Sequence, residues 1–203
     1  VLCRWRRTGF LQSARILSGT WPTIQSKIQD GPGAKLPNGA LGVDFTDVTF
    51  SYDDDQPTID ALSMTLKPGE VLGLLGRTGS GKSTMARLLL RFYDVESGAI
   101  TLNGQSLPSL SLESVRNQIG YVPQKAVLFS GTVADNLRFG NEQATDEELA
   151  SAASTAQAAD FISDMKDNFQ ATLAQGGTNL SGGQKQRLAI GRALARKPSI
   201  YIF

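Results

Sequence analysis

An α/β fold with a largely parallel central sheet is the class this sequence predicts. Three observations carry that expectation. From residue 41 onward, short strand-like runs alternate with helical periods. A glycine-rich loop joins one apolar run to an amphipathic helix. Two further helices open on capping-box patterns, Thr145 with Glu148 and Ser181 with Gln184.

Taken in order, Val43 and Phe45 alternate as a half-buried strand, and Val48 and Phe50 continue in the opposite phase. A phase change inside one strand predicts a bulge near Thr46-Asp47. Asp53-Asp54-Asp55 reads as a polar turn. Pro68-Gly69 turns the chain into the apolar run Val71–Leu75, expected as a strand. Met85, Leu88, Leu89 and Phe92 then form one apolar stripe at helical spacing. Ile100 and Leu102 precede Asn103-Gly104, a tight-turn pair. Ile119–Val122 reads as a short strand, residues 145 onward as an alanine-rich helix, and 181 to about 195 as another. Ser199–Phe203, bounded by Pro198, is expected as a buried strand. There are no internal repeats.

The totals narrow the class. The 203 residues suffice for one well-cored domain with a tail. A net charge of +1 gives no overall reason to expect nucleic acid. The first forty residues are locally basic through Arg4, Arg6, Arg7, Arg15, Lys27 and Lys35, against Asp30 alone. Such a stretch suits a juxtamembrane position, and equally a disordered arm. Gly31-Pro32-Gly33 through Pro37-Asn38-Gly39 reads as a linker. Cys3, the one cysteine, forms no internal disulfide. No apolar run approaches the roughly 20 residues that span a bilayer, and no signal peptide is evident. Val1 and Phe203 both read as cuts in a longer protein.

The glycine-rich loop carries the chemistry. Gly76-Arg77-Thr78-Gly79-Ser80-Gly81-Lys82-Ser83 matches G-x-x-x-x-G-K-[ST]. A triphosphate is a cluster of anionic oxygens. Glycines let the backbone wrap it with N–H groups, and the helix that starts here adds its positive dipole end. Lys82 is expected to neutralise the β- and γ-phosphates, Ser83 to bind Mg²⁺, and Thr84 to reach the α-phosphate.

A phosphate loop alone leaves kinases, GTPases and motors open. Leu180-Ser181-Gly182-Gly183-Gln184 narrows the choice, because the chain here resembles the ATP-binding-cassette (ABC) family, whose signature is this pentapeptide. The resemblance covers about residues 40–203. It implies a P-loop NTPase core with an antiparallel β subdomain and an α-helical signature subdomain, with ATP and Mg²⁺ as cofactors. Two glycines inside a helix's first turn weaken it by about 1 kcal/mol each relative to alanine, so they are expected to serve a close backbone approach. By the resemblance, the signature of one domain closes over the nucleotide on the loop of a second such domain. Lys82, Gln124 and Ser181 would then be catalytic. Tyr52 would stack on adenine, and Gln124, in Tyr121-Val122-Pro123-Gln124, would touch Mg²⁺ and the attacking water.

Leu128-Phe129-Ser130-Gly131-Thr132-Val133-Ala134-Asp135-Asn136-Leu137 looks like the exporter form of this region. Ala174-Gln175-Gly176-Gly177-Thr178-Asn179 is similar to the stretch that bacterial multidrug and lipid exporters place before the signature. The resemblance implies ATP-driven export, a transmembrane domain upstream on the same chain, and a place on the cytoplasmic face of the membrane. Residues 1–40 would be the connection, a linker or a disordered arm, and 41–203 an incomplete ATP-binding domain. Fewer than a hundred residues separate Lys82 from Ser181 and no heptads intervene, which argues against the chromosome-maintenance ABC ATPases. A ribosome-acting ABC protein would need a second cassette, and a degenerate-site subunit that binds ATP with little turnover stays open. In the family an aspartate and then usually a glutamate follow the strand equivalent to Ile200–Phe203, and a histidine comes later; this sequence ends before that pair and has no histidine. The chain as written is therefore expected to bind Mg-ATP weakly or not at all and to hydrolyse little. Gly191 departs from the family, which usually has alanine there.

Overall fold

The computed structural model describes residues 28–34, 36–37, 39–52 and 56–203. Asp53-Asp54-Asp55 and residues 1–27 lie outside the described residues.

Strand β1 (Val43–Phe50) is the centre of an antiparallel sheet, flanked by β2 (Ile59–Leu66) and β3 (Ser97–Leu102), with the short β4 (Gln105–Ser106) on the far side of β3. The expected bulge is present. Register slips between Phe45 and Val48 against β2 and between Thr46 and Thr49 against β3, and Asp47 sits at φ 46°. The slip has a purpose: it brings Val43, Phe45, Val48 and Phe50 all into the core, which strict alternation forbids. Gly98 fits the bulge from β3. A Cβ there would lie 2.3 Å from both the Thr46 and Asp47 carbonyl oxygens. Asn103-Gly104 makes the β3–β4 turn with both residues at positive φ, as expected.

Helix α1 (Lys82–Leu89) packs Leu88 and Leu89 into the core of this sheet. It stops a turn short of the expected Phe92, which is half-exposed. Arg91 turns the chain at φ 50° and buries its guanidinium, which pairs with Asp94 and donates to the carbonyls of Gln29, Leu107 and Leu110. The expected linker is thus partly docked. Asp30 Oδ1 accepts from Leu112 N–H, and Ala34 N–H bonds Ser109.

After a 3-10 turn at Leu107–Ser109, α2 (Leu112–Asn117) leads into β5 (Ile119–Tyr121). That strand pairs in parallel with β8 (Ile200–Ile202), the parallel part of the α/β fold among the described residues. Two strand expectations need correcting. Val71–Leu75 forms no ladder, and its backbone has no hydrogen-bond partner among the described residues. Val71 is 97% and Leu75 98% exposed. Apolar sequence supplies the propensity for a strand, but a strand exists only with a neighbour to pair with. Likewise β8 is not fully buried, since Tyr201 and Phe203 stand out into solvent.

A separate helical unit is built on α3 (Val133–Arg138), α4 (Asp146–Thr155), α5 (Ala159–Ser163) and α6 (Gly182–Ala195), with the short antiparallel pair β6 (Gly131–Thr132) and β7 (Thr172–Leu173) at its side. Capping boxes open α3 at Thr132/Asp135, α4 at Thr145/Glu148 and α6 at Ser181/Gln184. Its core is Leu137, Leu149, Ala153, Ile162, Leu173 and Leu188. Gly191 has a packing reason here: a methyl group would come within 2.9 Å of Leu137 Cδ2 and 3.6 Å of Ala156 Cβ. Glycine lets α6 approach α3 and α4. No helix of the described residues is long and apolar enough to cross a membrane.

Candidate functional site

The phosphate loop lies between the unpaired Val71–Leu75 segment and α1. Gly79 and Gly81 adopt φ 87° and 82°, a region open to glycine at little cost. Gly81 is also sterically required, because a Cβ would lie 2.6 Å from Ile59 Cδ1 and 3.0 Å from the Thr58 carbonyl. Helix α1 therefore begins on a residue with no side chain to cap it, and no acidic residue stands in its first turn. The N–H groups of Gly79, Gly81, Lys82, Ser83 and Thr84 have no partner among the described residues. An uncapped helix end of this kind favours an anion. The Lys82 ammonium arches back over the loop. It donates to the Gly76 carbonyl at 2.7 Å, the Arg77 carbonyl at 2.8 Å and Ser80 Oγ at 3.0 Å. These are weak neutral acceptors for a full charge, and phosphate oxygens would make stronger ones. Ser83 and the flanking Thr78 are exposed and unbonded, and Thr84 is buried against the sheet.

Tyr52 is carried to this loop by the end of β1. Its hydroxyl lies 3.2 Å from Thr84 Oγ1 and accepts from Arg87 Nη1 at 2.9 Å. Phe50 and Tyr93 pack on its ring edge-to-face, with centroids 4.9 and 5.2 Å away. The residue as a whole remains 41% exposed. Arg87 was not among the residues expected from sequence. Its spacing, three positions after Thr84 on one helix, puts it on the same face, but nothing local in the sequence says that Tyr52 arrives there. The hydrogen bond to Tyr52 raises the Arg87 pKa above its ordinary value.

Gln124 follows β5, is exposed, and makes no hydrogen bond among the described residues. Ser181 Oγ accepts from Gln184 N–H while Gln184 Oε1 accepts from Ser181 N–H, so those two side chains close the start of α6. Gly182 and Gly183 face open space, with nothing within 4 Å of a Cβ on either. Among the described residues, none makes the close approach the glycines were expected to serve. Lys82 and Ser181 belong to different packing units, the first beside the sheet and the second on the helical unit. The hollow between α4 and Lys197 touches none of these residues.

A family model described as ABC transporter matches residues 59–203. The chain belongs to the ABC transporter family. It is 46% identical over 176 residues to a beta-(1->2)glucan export ATP-binding/permease protein of Rhodopseudomonas palustris, covering 86% of this chain and 29% of that protein. It is 42% identical to a multidrug efflux ATP-binding/permease protein of Mycobacterium tuberculosis, covering 85% of this chain and 14% of that one. Among solved structures it is similar to a bacterial Atm1-family ABC exporter with ATP bound, at a TM-score of 0.83 and 37% identity, covering 88% of this chain and 32% of that chain. The α/β architecture is therefore that of an ABC exporter's nucleotide-binding domain. The chain spans less than a third of the length of these relatives.

Proposed function

We propose that this chain is the ATP-binding and ATP-hydrolysing domain of an exporter, and that it drives transport by ATP-dependent dimerisation with a second such domain. One observation carries the reading. Among the described residues, two α-helices start with no acidic residue in the first turn, at Gly81 and at Ser181, and they sit on separate packing units. The second presents two glycines to open space. A self-contained site has no use for the second end, whereas a head-to-tail pair uses both.

In this reading the N–H groups of Gly79, Gly81, Lys82, Ser83 and Thr84 wrap the phosphates, Lys82 gives up its loop carbonyls for β- and γ-oxygens, and Tyr52 offers its ring to the base. Gly76, Arg77, Thr78 and Ser80 shape the loop. Ser83 and Gln124 would hold Mg²⁺, which would supply positive charge to offset that of the phosphate oxygens. Ser181, Gly182, Gly183 and Gln184 close over the γ-phosphate on the partner domain. The transmembrane domain would lie upstream through residues 1–40, placing the domain on the cytoplasmic face.

In the full-length protein, Lys82→Ala should reduce ATP turnover by roughly 10²–10³-fold. Unchanged ATP affinity and transport would sink the assignment. The head-to-tail arrangement has its own test when both domains are copies of this chain. Mixing Lys82→Ala and Ser181→Ala subunits rebuilds one intact composite site per mixed dimer, so activity should return on mixing. If each domain used its own Lys82 and Ser181, mixing would restore nothing.

A further inference from the structure

We propose that Arg87, Tyr52 and Thr84 form a polar relay that aims the Thr84 hydroxyl proton at the α-phosphate of a bound nucleotide. The inference rests on the reading above that the loop holds a nucleotide with Tyr52 at its base, and it adds a second task for that tyrosine.

Donor arithmetic permits a relay that runs from Arg87 through Tyr52 to Thr84. A guanidinium has only donors, so Arg87 Nη1, at 2.9 Å, fills a lone pair of the Tyr52 oxygen. The phenol has one proton, and its other close polar neighbour is Thr84 Oγ1 at 3.2 Å. In the relay Tyr52 donates that proton to Thr84. The Thr84 oxygen is satisfied as an acceptor and its own proton is left for a ligand. Each bond polarises the next, and the head of the chain is a full positive charge.

The ring is fixed well enough for this. Phe50 and Tyr93 hold it edge-on at interplanar angles of 85° and 88°, and Arg87 lies 5.9 Å from its centroid. Thr84 is buried on α1, so its hydroxyl has little freedom to find another partner. The head of the relay is a guanidinium, which stays charged at any working pH. One tyrosine thereby joins base recognition, by its face, to phosphate recognition, by its hydroxyl.

Phenylalanine separates the two roles. Tyr52→Phe keeps the ring and removes the relay. Binding of ATP and of inorganic tripolyphosphate to the full-length protein, each measured by displacement of a fluorescent nucleotide, should weaken by the same factor, about 3- to 10-fold. The loss should appear in KM with kcat unchanged. Arg87→Ala should reproduce part of it, and Arg87→Lys, which still donates, should restore binding. In a Thr84→Val background Tyr52→Phe should cost nothing further, because the relay has no end to aim. Wild-type affinity of Tyr52→Phe for both probes would overturn the relay, as would an equal loss in the Thr84→Val background. Tyr52→Ala tests the underlying reading separately. If it weakens ATP no more than tripolyphosphate, the base does not stack there, while the Tyr52→Phe result still decides the relay.

Discussion

Replacing Arg192 by methionine should destabilise the helical unit by about 3 kcal/mol. Arg192 sits on α6, and burial pushes its pKa below the usual value. Its guanidinium donates to the Asn136 carbonyl at 2.9 Å, to Asn136 Oδ1 at 3.0 Å and to the Val127 carbonyl at 3.0 Å. It also lies against Phe129 and Phe139, at 5.1 and 5.6 Å from their centroids. Hydrogen bonds from a charged donor contribute about 1.5–3 kcal/mol each, and ring contacts about 0.5–1 kcal/mol each. The gross sum is offset by the desolvation that burying a charge requires, and the bonds are not additive because they share one group. About 3 kcal/mol is what remains, and it corresponds to a drop of roughly 6–12 °C in the thermal midpoint of a domain this size. Calorimetry on wild type and Arg192→Met measures it directly. Arg192→Lys keeps the charge but not the planar fork, so it should recover less than half. A midpoint for Arg192→Met within about 2 °C of wild type would refute the reasoning, since three carbonyl and amide acceptors would then be indifferent to losing their donor.

Gly98→Ala should cost more than about 3 kcal/mol in urea unfolding, because its φ of 78° and the two carbonyls 2.3 Å from a Cβ leave the methyl no room without unmaking the bulge; a cost under about 1 kcal/mol would show that the bulge adapts freely. Asp135 is held below the ordinary carboxylate range by the Thr132 backbone N–H and then its hydroxyl. A depressed folded pKa adds stability above the unfolded pKa that is lost as pH falls through the folded one, so Asp135→Asn should flatten the acid limb of a stability–pH curve below about pH 4, by less than about 1 kcal/mol at this exposed site. Hydrogen exchange should find the amides of residues 71–75 unprotected while those of β1 are slow; equal protection in this 203-residue chain would contradict the unpaired backbone.

What could be read from the sequence was local. The bulge at Thr46-Asp47 showed as a phase change within one strand. The Asn103-Gly104 turn and the caps at Thr145 and Ser181 are written in residues three or fewer positions apart. The phosphate loop is legible for the same reason, being one contiguous stretch. What escaped were pairings between distant segments. Arg192 and Asn136 are 56 residues apart, and Arg87 and Tyr52 are 35 apart. An arginine on a helix carries no sign of whether it meets solvent, a ring or a carbonyl. Gly191 looked like a cost to helix α6 and became intelligible only when Leu137 was found against it.

The same distinction explains the phosphate loop's odd setting. Its downstream side is anchored, with Gly81 pressed on Ile59 and Thr58 and α1 packed on the sheet. Its upstream side is not, because Val71–Leu75 has neither ladder nor cover. Burying one large apolar side chain is worth about 1.5–3 kcal/mol, and an unpaired strand forgoes a ladder as well. The Lys82 ammonium crosses between the two sides, since Gly76 and Arg77 belong to the loose one and Lys82 to the anchored one. Those bonds close the loop on itself. In the proposed reading a nucleotide would take Lys82 from them and replace a side-chain tether with its own bridge between loop and helix. In the proposed reading, the rigidity of the upstream side would set how much of a nucleotide's binding free energy goes into ordering the loop and how much shows as affinity.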